Sequence, residues 1–266
     1  MAWVYTVPVW LVCFFFIGGS STLAAAGLVL VRRRKRKADV TASNDFAGPV
    51  MATLGTVLAV MLSFMVVTVW QEYDQAAAIA QTEANQIANL YNEVGVFPAP
   101  LRDELRTAIS AYVDTVVDRE WPLMRQGSAS PRARQDAAAI VAMVEMYAPT
   151  TPAQQNAQAD ALQHAHGFLD ARSDRLFENQ QAVPPLLWVV MIFLAVVTLC
   201  SAYFFAVPSA GAHLAMTIAL GAVIGAIFVV IAELDLPFRG DLQIAPTAFA
   251  QDYATFANQP PAAPQH

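Results

Sequence analysis

Four long runs of this chain carry no Asp, Glu, Lys or Arg: residues 4–31, 50–70, 186–207 and 210–232. Leu, Val, Ile, Phe and Ala dominate each of them, and about 20 apolar residues suffice to cross a hydrocarbon layer. Inside lipid the backbone has no water to bond, so each run must satisfy its own N–H and C=O groups. A helix does this and a lone strand does not. The fold class that follows is all-α and integral to a membrane, with four transmembrane helices. Composition agrees, with 56% hydrophobic and 14% charged residues, against about 25% charged for an ordinary soluble domain. A net charge of −6 leaves no basic face to neutralise phosphates, so no nucleic-acid partner is expected. Cys13 and Cys200 both lie inside apolar runs, which excludes a disulfide framework and zinc sites of the CxxC type.

The first run reads as a retained helix. A cleaved signal peptide has a basic region before a short apolar core, whereas here the core is long and the basic residues follow it. Those residues, Arg32-Arg33-Arg34-Lys35-Arg36-Lys37, are six of the 15 basic residues and include both lysines. Positive charge marks the cytoplasmic side. The loop 32–44 is therefore predicted to be cytoplasmic, and residues 71–183 and both termini extracytoplasmic.

Four segments result. Residues 1–70 hold the first transmembrane pair, 71–183 a soluble region inserted between the second and third spans, 184–235 the second pair. Residues 236–266 hold a Pro-Phe turn and a Pro/Ala/Gln tail expected to be disordered. In 71–183 apolar residues recur at helical spacing, for example Leu101, Leu105, Ile109, Tyr112, Val113 and Val116. Four helices are predicted there: a continuation of the second span to about Val94, one from the Pro98–Pro100 break to about Arg125, one near 134–147 and one near 153–181. Pro152 in the first turn and Thr151 before it mark the start of the last.

No catalytic motif is present: phosphate-binding glycine loops, HExxH and GxSxG patterns are all missing. No enzyme activity and no cofactor are expected. His164 and His166 suggest a metal pair, but positions i and i+2 of a helix point about 200° apart, and they read as solvated histidines. Glu233, Asp235 and Asp241 are the acidic set nearest to a Ca²⁺ site, which needs about six oxygens. Without a dense acidic run, the alternative is a structural turn with a capped helix end. Trp70, Tyr73, Trp188 and Tyr203 fall near span ends and read as an interfacial aromatic belt, and Trp121 as a core anchor.

The second span has two unlike sides. At about 100° per residue, Ala52, Gly55, Thr56, Ala59, Val60, Ser63 and Val67 share one face, and Leu54, Leu58, Met61, Leu62 and Met65 the other. A small, partly hydroxylated face suits a pore. It also suits close helix packing through Gly55, Ala59 and Ser63.

Two stretches resemble a known family. Residues 61–74, an apolar helix ending in Trp70-Gln71-Glu72-Tyr73-Asp74, resemble the end of the second membrane helix of bestrophins. The stretch Glu233-Leu234-Asp235-Leu236-Pro237-Phe238-Arg239-Gly240-Asp241 resembles their segment after the last membrane helix. With Glu83-Ala84-Asn85 and Glu120-Trp121-Pro122, the chain is similar above all to the bacterial bestrophin-like family. The resemblance implies a pentameric homo-oligomer in the bacterial inner membrane, surrounded by lipid and conducting small inorganic anions along its second helix. Trp70, Tyr73, Asp74, Asp235, Pro237, Phe238 and Gly240 then become structural motif residues. The neck positions that are aromatic in bestrophins fall on Ala52, Thr56 and Val60, so the pore-lining candidates are Ala52, Thr56, Val60, Ser63 and Val67. Two function classes remain: such a channel, or a non-conducting membrane sensor or structural module whose soluble helices bind a ligand or partner. The short inside loop offers no output domain, which favours the channel.

Overall fold

The computed structural model describes residues 5, 7–34, 44–205 and 207–251. Most of the basic loop and the Pro/Ala/Gln tail lie outside the described residues, as does the start of the first apolar run. Among the described residues there is no strand. Helix α1, Val9–Arg34, follows Pro8, whose ring fixes φ but leaves no N–H to continue a helix upstream; a π-helical turn interrupts it at Phe14–Gly18. Helix α2, Asn44–Glu93, is a single helix of 50 residues with Pro49 near its start. It begins before the apolar run it was predicted from and runs through Pro49, whose missing N–H leaves one intrahelical bond unmade in its second turn.

Helix α3, Ala99–Thr115, leads through a π-helical turn, Val116–Glu120, into the short helix Trp121–Met124. Helices α4, Pro131–Glu145, and α5, Pro152–Glu178, each begin on proline. Their first turns are capped by Ser130 and Thr151, whose hydroxyl oxygens accept from the N–H groups of Ala133 and Gln154, each at 3.2 Å. Helices α6, Pro185–Ala202, and α7, Ala210–Leu234, form the last apolar pair. The third apolar run reaches Val207, yet α6 stops at Ala202. The chain turns at Tyr203, and Ser209 caps α7 by accepting from the N–H of Ala212 at 3.3 Å.

The helices fall into two compact units. The first comprises Met1–Tyr73, Ala182–Leu236 and Gly240–Leu242; the second comprises Asp74–Gln181, Pro237–Arg239 and Gln243–His266. All four candidate membrane spans contribute to the first unit, α2 through its portion up to Tyr73. Its core joins Val12 and Ala24 of α1 and Leu58, Leu62, Met65 and Val69 of α2 to Trp188 and Met191 of α6 and Ile224 and Phe228 of α7. Trp188 thus departs from the aromatic belt read from its position: it is buried, with its ring stacked 6.0 Å from that of Phe228. The backbones of α1 and α7 approach closely at two glycines. A Cβ added at Gly221 would lie 2.9 Å from the carbonyl oxygen of Ser20, and one at Gly225 2.5 Å from that of Phe16. The Ser20 hydroxyl donates to the Gly221 carbonyl at 2.7 Å.

In the second unit Leu90, Leu105, Ile109, Tyr112, Ile140 and Phe168 are buried together with Trp121. The apolar spacing read in α3 accounts for four buried positions, Leu105, Ile109, Tyr112 and Val113, and the core position read for Trp121 is the one observed.

Candidate functional site

Helix α2 divides as its sequence divides. Leu58, Leu62, Met65 and Val69 are buried against the other helices of the first unit. Ala52, Thr56, Ala59, Val60, Ser63 and Val67 are exposed, Val60 by 50% and Val67 by 52%. Among the described residues nothing lies within 4 Å of a Cβ placed on Gly55 of this face. The close packing that Gly55, Ala59 and Ser63 suggested is therefore not made inside the chain. It is made instead by Gly221 and Gly225 of α7, one helical turn apart, against α1.

The two hydroxyls on the face differ in what they can offer. Thr56 donates its proton to the Ala52 carbonyl at 2.8 Å, leaving its lone pairs outward. Among the described residues Ser63 has no such bond, and its proton can turn outward. At the end of the stripe Trp70 is 59% exposed, with its ring stacked 6.3 Å from that of Tyr73. Tyr73 is half-buried and Asp74 exposed.

The turn after α7 serves as mortar in each unit. In the second unit Phe238 is fully buried, edge-on to Trp121 with centroids 5.7 Å apart. The indole N–H of Trp121 donates to the Ile244 carbonyl at 2.8 Å, and the N–H of Ile244 to the Pro237 carbonyl at 2.8 Å. Arg239 donates to the Asn179 carbonyl at 2.9 Å. In the first unit Asp235 accepts from the N–H of Val183 at 2.5 Å, just ahead of α6, and Asp241 from that of Val9 at 2.7 Å, the first residue of α1. Gly240 has φ +75°, a left-handed conformation that a side chain disfavours, and an added Cβ there would meet a Glu233 carboxylate oxygen at 3.3 Å. The acids considered for Ca²⁺ are thus occupied as helix caps or stand beside the turn. Among the described residues no group of three or more His, Cys, Asp or Glu is placed to hold a metal. His164 and His166 address different partners: the former pairs with Gln86 at 2.7 Å, the latter lies 3.6 Å from Glu145.

A buried ionic cluster fills the heart of the second unit, and the sequence reading missed it. Arg175, with no exposed side-chain surface, donates to Glu83 at 2.6 and 3.0 Å and to Glu120 at 3.0 Å. Arg172 meets Glu120 at 2.5 Å. The Tyr112 hydroxyl donates to Glu83 at 2.7 Å, and the N–H of Ser130 to Glu120 at 3.1 Å. The Arg175 guanidinium lies 4.9 Å from the centroid of the Trp121 ring. Burial pushes the Tyr112 hydroxyl well above its ordinary pKa, and the Glu83 charge adds to the push. Burial alone would loosen the Arg175 proton, but Glu83 more than reverses this, so Arg175 stays charged. A signal for the cluster was present in α5, where Arg172 and Arg175 share the stripe of Ala161, Ala165 and Phe168 that is otherwise apolar.

Comparison with known proteins gives one family and one fold. The model of the Bestrophin-like domain matches residues 18–249. No curated protein sequence matches the chain. Among solved structures, three variants of a bacterial bestrophin homolog from Klebsiella pneumoniae are similar over nearly their full length. One superposes with a TM-score of 0.66 at 11% identity, covering 91% of this chain and 99% of that one. A second has a TM-score of 0.65 at 9% identity, with coverages of 92% and 99%. A third has a TM-score of 0.61 at 12% identity, with coverages of 91% and 97%. At such identities the likeness is one of fold.

Proposed function

This chain belongs to the bestrophin-like family, and from that premise we propose that it forms a homo-oligomeric membrane channel for small inorganic anions, with α2 of each copy lining a shared axis. The resemblance implies five copies. One observation carries the reading: the small, partly hydroxylated residues Ala52, Thr56, Val60, Ser63 and Val67 of α2 are left exposed by the described residues, while Leu58, Leu62, Met65 and Val69 are buried. A ring of copies would place the bare face on its axis.

Each candidate then has a task. Ala52 and Thr56 keep the path wide, and Ser63 offers a hydroxyl proton to a partly dehydrated anion. Val60 and Val67 form apolar rings that close by dewetting when the path narrows. Trp70, Tyr73 and Asp74 mark the end of this stretch. The channel sits in the bacterial inner membrane with loop 32–44 in the cytoplasm.

Purified protein in liposomes is expected to pass chloride, and Thr56→Phe or Val60→Trp to stop the flux while the oligomer stays intact. No flux from the parent protein at any pH or ion composition would overturn the channel. Unchanged flux in both variants would overturn the pore assignment and leave the channel standing.

A further inference from the structure

An apolar cleft of about 290 Å³ opens between α1 and α7, lined by Leu28 and Val29 on one side and Ala210 and Leu214 on the other. Its remaining walls are Arg32 and Arg33. Arg32 is fixed in place, donating to the Val207 carbonyl at 2.9 Å. Arg33 and Arg34 are exposed, and no ion pair engages Arg32, Arg33 or Arg34 among the described residues. No Asp or Glu precedes these arginines in the sequence.

Length fixes the depth of these arginines in a bilayer. From Val9 to Val31 the helix rises about 34 Å at 1.5 Å per residue, just over the roughly 30 Å of hydrocarbon. Arg32, Arg33 and Arg34 therefore emerge at the level of the lipid phosphates. A guanidinium offers several N–H donors in a planar fork that matches phosphate oxygens, and the cleft beneath it is apolar. We propose that this cleft is a binding site for an anionic phospholipid, with the headgroup phosphate on Arg32 and Arg33 and one acyl chain lying between α1 and α7. The apolar walls decide for a lipid over a free phosphate ion, since inorganic phosphate would gain nothing from Leu28, Val29 and Leu214.

Native mass spectrometry of the full chain in detergent, titrated with phosphatidylglycerol or phosphatidylcholine of identical acyl chains, tests the site. Phosphatidylglycerol is expected to be retained more strongly, by about fivefold for each arginine engaged. Arg33 is exposed and forms no ion pair among the described residues, so Arg33→Gln is expected to fold as the parent does and to lose about that factor for phosphatidylglycerol alone. Ala210→Phe, which fills the cleft and spares the arginines, is expected to weaken both lipids. Added inorganic phosphate is expected to displace neither. Equal retention of the two lipids by the parent, or an unchanged preference in Arg33→Gln, would overturn the proposal. So would displacement of phosphatidylglycerol by inorganic phosphate, which would make the site a simple anion pocket.

Discussion

A guanidinium with no access to water, as at Arg175, survives only where its charge is matched and its N–H groups are received. Glu83 and Glu120 do both, with Tyr112 completing the coordination of Glu83. Pairs of this kind gain little over apolar packing, yet removing one partner is costly because the other is left buried and charged. The gentlest probe of the cluster is Tyr112. Its pKa is raised in the folded protein, so the folded state holds the phenolic proton more tightly than the unfolded chain does. That contribution is fully present below the ordinary tyrosine value of 10.0 and is lost progressively as pH climbs above it. Chemical unfolding at pH 8 and pH 11 is expected to show a clear alkaline loss in the parent. In Tyr112→Phe the loss should be smaller, with a stability cost of about 1–3 kcal/mol at pH 8 for a bond to a charged acceptor. Identical alkaline slopes would show that Tyr112 does not carry the effect. Sequence made Tyr112 legible as a core residue through its apolar spacing and Trp121 through its distance from every span. It did not reveal Glu83, Glu120, Arg172 and Arg175 as partners, because long-range ion pairs leave no period along the chain.

At the scale of elements, α1 and α7 show how a membrane pair is held without a hydrophobic force between them. Lipid is as apolar as leucine, so contact depends on backbones that can approach closely. Gly221 and Gly225 provide that approach and Ser20 adds a hydrogen bond. Gly225→Val pushes a branched side chain against the Phe16 carbonyl and is expected to cost about 3 kcal/mol, the upper part of the overpacking range. Gly55→Val has open space around it and is expected to change stability by less than about 0.5 kcal/mol. Thermal unfolding of the two purified variants gives the comparison. A comparable loss at Gly55 would mean that a neighbouring copy packs tightly on that face, which is incompatible with a water-filled path there. The four spans were legible because long uncharged runs have one solution in lipid, and the two faces of α2 because helical geometry sorts them. Small-residue packing was legible on α2 as the alternative to a pore, whereas the same spacing at Gly221 and Gly225 of α7 was not singled out. The motif occurs in both, and only the fold shows which copy meets a backbone.

For the whole molecule the open matter is which way it faces. The basic block at Arg32–Lys37 outweighs every other loop, so residues 71–183 are expected outside the cytoplasm. A reporter active only outside, fused at the exposed loop residue Ser128, is expected to be active. Activity of a cytoplasm-only reporter at that site would reverse the orientation. Fold class was legible at this scale because it follows from span count and helical period; copy number was not, since symmetry leaves no trace in the sequence of one copy. The ionic cluster bears on how such a molecule can be cut and rejoined. Both of its carboxylates, Glu83 and Glu120, precede the Gly127 turn, and both of its guanidinia, Arg172 and Arg175, follow it. Severed at that turn, each fragment inherits charge of one sign at the heart of its fold and nothing to neutralise it. Neither piece is then a module that evolution or an engineer can transplant by itself. The two are halves of one lock, and a split version of the gene would be useful for this reason: signal arises only when both pieces meet.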